Sequence, residues 1–409
     1  MNRDLVGTVT LPGSKSESNR ALMIAAYGGF PLTVGGLSDA HDTVLLQSLL
    51  QRIVASQRKD PLTVDCEDAG TVARFLMTFL ATTPGVWLLT GTPRLRQRPI
   101  APLVEALRQL GATIRYQDKE GQLPVLIQGK TLRGGAVELD ATLSSQFVSS
   151  LLLAAPQWER GLTMKIHGKH NSWPYVGMTM ALMRHYGAEV LEAETLTVKS
   201  MPYHPASYAV GADWSAASYW YEMAALSQHS NLLLKGLKMP TLQGDVVVAS
   251  LFRGFGVETL EEEEGVRLLK TGGDSTICEP MVFDFSETPD LFPAVFVTCV
   301  ALGRPAQFKG ISNLSFKESD RVKSLITELS KKYTFINIID NDEIKINKST
   351  LSDNNIYSNK VLFNTHSDHR IAMSLFALSL KFGEVVLDHP EVVSKSYPSY
   401  WSDIQRLFE

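Results

Sequence analysis

The chain has 409 residues, 44 % hydrophobic and 20 % charged, which describes an ordinary folded protein with room for two or more domains. A formal net charge of −4 argues against a general nucleic-acid binder, so any basic patch must belong to a local site. The three cysteines, Cys66, Cys278 and Cys299, are far apart, which excludes a disulfide framework or a cysteine zinc centre.

Residues 1–9 carry no signal-peptide core. The longest apolar run, 291–302, is too short to span a bilayer and contains Pro293. A cytoplasmic, soluble protein is expected. The first strong signal is the stretch 12–20. Pro12-Gly13 is a turn, and Ser14 and Glu17 have the spacing of a capping box, which predicts a helix start. Free N–H groups and the macrodipole there favour an anion. Lys15 and Arg20 add positive charge, and Ser14, Ser16 and Ser18 add hydroxyls. Taken alone, this is equally the composition of a capped helix with solvated cations.

Further along, helices are predicted over 72–81, 102–110, 147–155 and 178–186, with strands over 124–128 and 161–166. Helices run into Leu-Gly-Ala-Thr-Ile (110–114), Tyr-Gly-Ala-Glu-Val (186–190) and Phe-Gly-Val-Glu (255–258), so Gly111, Gly187 and Gly256 read as left-handed helix ends. Repeated helix–Gly–strand units predict an α/β protein built from copies of one supersecondary element. The Lys-, Asn-, Asp- and Ile-rich segment 331–360 reads as a solvated hairpin with a variable loop.

Four more stretches share the chemistry of the first. Asp68-Ala69-Gly70-Thr71 precedes a helix with Arg74. Asp68 suits an N-cap, and Gly70 permits close approach of a ligand. Arg94, Arg96 and Arg98 crowd one loop, which suits solvent or an anion. Ser144, Ser145 and Gln146 open a helix, and 313–321 alternates charges around Asn313, Lys317, Glu318 and Arg321. The last third adds Asp290 ahead of an apolar helix at 291–301, then Ser367-Asp368-His369-Arg370 and Lys395. Two histidine pairs, His366/His369 and His167/His170, lack an evident third ligand, so no metal is expected.

Together these pieces closely resemble the EPSP synthase (3-phosphoshikimate 1-carboxyvinyltransferase) family of enolpyruvyl transferases. Seven motifs occur in the family's order, at 12–20, 68–74, 91–100, 144–147, 313–321, 367–373 and 394–398. The resemblance implies an α/β fold of two similar domains, each of three βαβαββ-type units, facing one another across a cleft. It implies a first domain at 14–212, mainly on the shikimate 3-phosphate side. The second, 1–13 with 213–409, is mainly on the phosphoenolpyruvate side, with hinges near 12–14 and 211–213.

The implied reaction moves the enolpyruvyl group of phosphoenolpyruvate to the 5-hydroxyl of shikimate 3-phosphate by addition and elimination, without a cofactor. By motif position, Lys15, Gly70, Arg98, Gln146, Arg321, Arg370 and Lys395 are expected at phosphoenolpyruvate. Lys15, Ser16, Arg20, Ser144, Ser145, Gln146, Ser172, Asp290, Asn313 and Lys317 are expected at shikimate 3-phosphate. Asp290 is the expected base on the hydroxyl and Glu318 the proton-exchanging group at C3, with Lys15 sharing acid–base work. A monomer is expected, with small-molecule substrates and no nucleic-acid or membrane partner. Asp68 stands where Asn is usual and Phe75 where Pro is common. Because Gly70 has no side chain to obstruct it, inhibition by the phosphonate glyphosate is expected.

The sibling enzyme acting on UDP-N-acetylglucosamine usually carries a reactive cysteine in the loop that corresponds to 91–99, and none is present. A kinase phosphate loop fails because Ser14 separates Gly13 from Lys15. A non-catalytic phosphometabolite-binding protein would have little use for Asp290 and Glu318 beside phosphates.

Overall fold

A computed structural model describes residues 4–31, 33–56, 61–270, 280–340, 342–351 and 360–408. Within it the chain divides into two compact units, Ser14–Val210 and Gly211–Glu409 with Met1–Gly13. At the boundary, Gly13 and Ala212 form an antiparallel bridge, and Asp213 N donates to Pro12 O at 2.9 Å.

Among the described residues one four-stranded pattern is used four times. In Ser14–Val210, the strands Leu62–Asp65 and Gly85–Thr90 pair in parallel, and Val125–Gly129 and Thr113–Tyr116 follow antiparallel. A second sheet repeats this with Gly135–Asp140, Leu162–His167, Leu196–Val198 and Val190–Glu192. In the other unit it recurs as Asp4–Thr10, His229–Lys235, Gly265–Lys270 and Glu258–Glu262. It recurs again as Met281–Asp284, Ala306–Lys309, Glu343–Leu351 and Tyr333–Asp340. In chain order each copy reads βαβαββ. The third copy in each unit is abbreviated to two parallel strands, Val34–Gly35 with Tyr208–Ala209, and Lys360–Phe363 with Glu384–Leu387.

The expected α/β fold of repeated units is therefore present. Gly111, Gly187 and Gly256 have φ of 92°, 90° and 81°, the left-handed helix ends that their spacing predicted. The segment after residue 331 does form an antiparallel hairpin, while 341 and 352–359 lie outside the described residues.

The inner helices explain how the site is positioned. Helices Lys15–Gly28, Gly70–Thr82 and Ser145–Ala154 pack on one another, as do Trp214–Leu226, Phe292–Leu302 and His369–Ala377 in the other unit. Gly70–Thr82, Trp214–Leu226 and Phe292–Leu302 are buried along nearly their whole length, so they meet other protein on all faces rather than along one stripe. Burying their apolar side chains stabilises each unit by roughly 1.5–3 kcal/mol per large residue.

Candidate active site

In Ser14–Val210 most of the residues singled out in the sequence lie at or beside helix starts: Lys15 and Ser16, Gly70, Ser144, Ser145 and Gln146, and Ser172. Ser14 caps Lys15–Gly28 by accepting from Glu17 N at 3.4 Å, as predicted, while the Glu17 carboxylate accepts from Tyr208 Oη at 2.6 Å. Lys15 Nζ lies 3.0 Å from Asp42 Oδ2, a carboxylate that is almost fully buried. Sequence reasoning missed Asp42, which lies in no motif. His41, Asp42 and Asp68 offer oxygen and nitrogen atoms within 4.8 Å of one another. The Lys15 ammonium already neutralises Asp42 and opposes a second cation there.

Helix Gly70–Thr82 departs from one expectation. Its N-cap is Ala69, with no side-chain capping bond, so Asp68 is not the cap; it sits one residue earlier, in the preceding turn. Gly70 matters for space. A Cβ there would stand 2.4 Å from Arg98 Nη1 and 2.7 Å from Arg74 Nη1. Arg74 Nη1 donates to Gly70 O at 2.9 Å. Arg98 follows a short helix, Pro93–Gln97, which replaces the expected loop, and is buried. Arg96 instead donates to Gly91 O at 2.8 Å.

Ser144 caps Ser145–Ala154 by accepting from Gln146 N at 3.2 Å. Gln146 Nε2 donates to Thr71 Oγ1 at 2.9 Å, tying this helix start to that of Gly70–Thr82. Gln146 Oε1 is buried with no partner among the described residues, an acceptor left for something else. Ser172 is buried at the start of Trp173–His185 with φ 59°, a left-handed conformation uncommon for serine. Asn171 anchors that turn by donating to Thr142 O at 3.1 Å.

Arg20 is placed differently from the rest. Its guanidinium donates to Thr179 Oγ1, Ser16 O, Ser149 Oγ and Tyr175 O at 2.7–3.3 Å, beneath the helix starts. Burial lowers its pKa to about 10, despite the opposing pull of Tyr175 and Glu17. Phe75, one of the unusual positions, packs its ring 5.5 Å from this guanidinium.

In the other unit the hub is Arg321, the first residue of Arg321–Leu329, whose side chain is 1 % exposed. Each of its three nitrogens serves a different carboxylate: Nε Asp368 at 3.0 Å, Nη1 Asp290 at 2.8 Å and Nη2 Glu318 at 2.9 Å. Arg370 Nη2 donates to the second oxygen of Asp290 at 2.8 Å, and its Nη1 approaches Tyr219 Oη at 3.2 Å. Lys317 Nζ is 3.9 Å from Asp290. Burial pushes the Asp290 carboxyl up, but Arg370, Lys317 and Arg321 outweigh it and hold the group well below the usual carboxylate range. Asp290 is not the cap of Phe292–Leu302; it lies in the one-turn helix Pro289–Leu291 that leads into it.

Arg370 is carried by His369–Ala377, capped by Asp368, which also accepts from Ser319 Oγ at 3.0 Å. Asp368 and Tyr219 touch Arg321 and Arg370 respectively, and neither was given a role from the sequence. The signal for Asp368 was present in Ser367-Asp368-His369-Arg370; Tyr219 had none. Asn313, in Ser312–Phe316, has a buried Oδ1 without a partner among the described residues. Lys395 is buried at the end of Pro390–Lys395, which packs against His369–Ala377.

In the first unit most of the predicted residues lie at or beside helix starts; in the second, Arg321 and Arg370 open helices while Asp290, Asn313, Lys317 and Lys395 lie in or just after short helical turns. The first set offers Lys15, Arg98, hydroxyls and amides to an anion. The second offers three cations balanced by three carboxylates, a set able to bind anions and move protons.

Comparison with known proteins follows the same lines. The family model described as EPSP synthase (3-phosphoshikimate 1-carboxyvinyltransferase) matches residues 1–404. The 3-phosphoshikimate 1-carboxyvinyltransferase of Bacteroides fragilis strain YCH46 is 39 % identical over 404 residues, covering 98 % of this chain and 94 % of that protein. The protein of the same name from Syntrophobacter fumaroxidans is 32 % identical over 98 % of this chain and 96 % of its own length. Among solved structures, EPSP synthase from Acinetobacter baumannii superposes with a TM-score of 0.73 at 21 % identity, covering 100 % of this chain and 96 % of that one. This last match bears on the fold alone.

Proposed function

The chain belongs to the EPSP synthase (3-phosphoshikimate 1-carboxyvinyltransferase) family, and we propose how its own residues carry out that family's reaction. The protein transfers the enolpyruvyl group of phosphoenolpyruvate to shikimate 3-phosphate, in aromatic amino acid biosynthesis. In our reading C3 of phosphoenolpyruvate takes a proton and the 5-hydroxyl attacks C2. The tetrahedral adduct then loses phosphate and a C3 proton.

Lys15, Gly70, Arg98, Gln146, Arg321, Arg370 and Lys395 serve phosphoenolpyruvate. Arginine forks suit its carboxylate and phosphate, and Gly70 leaves the room that a side chain would take from Arg98. Lys15, Ser16, Ser144, Ser145, Gln146, Ser172, Asn313 and Lys317 serve shikimate 3-phosphate, with Arg20 holding Ser16 from below through its carbonyl. Asp290 takes the hydroxyl proton as substrate anions draw Arg370 and Arg321 from it, since those cations, with Lys317, hold its pKa down and weaken it as a base. Glu318 exchanges the C3 proton, and Lys15 assists. Preorganised charges of this kind stabilise an anionic tetrahedral adduct without reorganisation.

The observation that carries the residue assignment is the contact of both Arg321 and Arg370 with Asp290, anion receptors joined to the proposed base. We also propose that Ser14–Val210 is mainly the shikimate 3-phosphate unit, that the enzyme is a monomer, and that it works in the cytoplasm. Among the described residues no helix is long and apolar enough to cross a membrane. Arg370→Ala tests the assignment: the KM for phosphoenolpyruvate should rise far more than that for shikimate 3-phosphate, and equal changes would contradict it.

A further inference from the structure

Two consecutive residues ahead of the Asp368-His369-Arg370 run adopt a left-handed backbone without being glycine. His366 has φ 51° and Ser367 φ 54°. Such conformations are unfavourable for residues with a Cβ and persist only where surrounding contacts over-determine them. The contacts here converge on one buried carboxylate. Glu328, its side chain 3 % exposed, accepts from Asn364 N at 2.8 Å through Oε2 and from His366 Nε2 at 3.0 Å through Oε1. Lys331 Nζ also donates to Oε2. On the far side of the turn, Thr365 N donates to Asp388 Oδ1 at 2.8 Å, and Asp368 N to Thr365 O at 2.9 Å.

Glu328 and Arg321 belong to the same helix, Arg321–Leu329, seven residues apart and therefore on one face. That face grips the segment 364–370 at two levels: Glu328 holds the turn and Arg321 holds Asp368, one residue after it. We propose that Glu328 is a positioning residue for the phosphoenolpyruvate site, clamping the left-handed turn so that Asp368 and Arg370 are presented in register with Arg321 and Asp290. Glu328 touches no substrate; it acts through His366 and the backbone of Asn364. The proposal rests on the assignment of Arg321 and Arg370 to phosphoenolpyruvate.

The test compares Glu328→Ala, His366→Ala, Glu328→Gln and Arg370→Ala in the full chain, with two readouts. Amide hydrogen exchange on the ligand-free protein should show faster exchange across 364–370 in Glu328→Ala, and more weakly in His366→Ala. Steady-state kinetics should show the KM for phosphoenolpyruvate raised by about tenfold in Glu328→Ala, the size of one lost hydrogen-bonding group, with that for shikimate 3-phosphate changed less than twofold. Glu328→Gln keeps an oxygen for Asn364 N and should recover most of the loss. Unchanged exchange at 364–370 overturns the clamp. Faster exchange with an unchanged KM, while Arg370→Ala raises that KM, overturns the positioning role. If neither Glu328→Ala nor Arg370→Ala moves the KM, the substrate assignment itself fails and the inference falls with it. If Glu328→Ala does not fold, His366→Ala decides by the same two readouts, because its partly exposed ring can be removed while Glu328 still holds Asn364.

Discussion

Arg370 Nη2 and Asp290 Oδ2 lie 2.8 Å apart, so an arginine we assign to the substrate's charge also holds the proposed base. An arriving anion competes with Asp290 for the same guanidinium. In the proposed mechanism its binding loosens the carboxylate when the hydroxyl proton needs an acceptor. On the proposed assignment Asp290 has two roles, ionic partner of the arginines and base on the hydroxyl.

Asp290→Asn separates the two roles. Removing the base should lower kcat by about 10²–10⁴-fold. Anion binding should not weaken, because Arg321 and Arg370 lose a competitor. Rapid-quench turnover and calorimetric titration with phosphoenolpyruvate read the two effects separately. A kcat within a few-fold of the parent would contradict the assignment.

Gly70→Ala places a Cβ 2.4 Å from Arg98 Nη1 and 2.7 Å from Arg74 Nη1, the far ends of two side chains that can shift. The fold should tolerate it, with a thermal midpoint within a few degrees, whereas displacement of Arg98 should raise the KM for phosphoenolpyruvate by about tenfold, one hydrogen-bonding group's worth. In the parent protein the same open space predicts inhibition by glyphosate. Turnover unaffected by a large excess of the inhibitor would refute that expectation.

Much of this was legible in advance. The helix–Gly–strand grammar announced the repeated α/β unit, since a left-handed helix end leaves a mark on the sequence at Gly111, Gly187 and Gly256. Cap-rich motif starts announced the helix starts capped by Ser14 and Ser144. Partnerships over long separations were not legible. Asp42 binds Lys15 across 27 residues and Tyr219 reaches Arg370 across 151, and no local pattern encodes either. Arg20 shows the converse: its motif suggested a substrate contact, while the fold gives most of its donors to other protein groups. A helix cap was misread at Asp68 for a related reason, because propensity names a capping residue type but not which of several adjacent residues adopts the capping geometry.

Asp245 supplies a stability test. It is buried and hydrogen-bonded by Ser215 Oγ, and burial, reinforced by the negative charge of Asp290, raises its pKa from 3.8 to about 7. Between these values the unfolded chain releases a proton that the folded protein keeps, so this group's contribution to stability is full below 3.8 and is lost as pH rises to about 7. Asp245→Asn should remove that component and flatten stability against pH across the window, by an amount on the order of a few kcal/mol. Denaturant unfolding at several pH values measures it; parallel curves for parent and variant would show that Asp245 titrates normally.

The most direct test of the central claim is phosphate release from phosphoenolpyruvate by the purified protein, with and without shikimate 3-phosphate. The account predicts release only when both are present, together with one enolpyruvyl product per phosphate. Release from phosphoenolpyruvate alone, or none with both substrates bound, would contradict it.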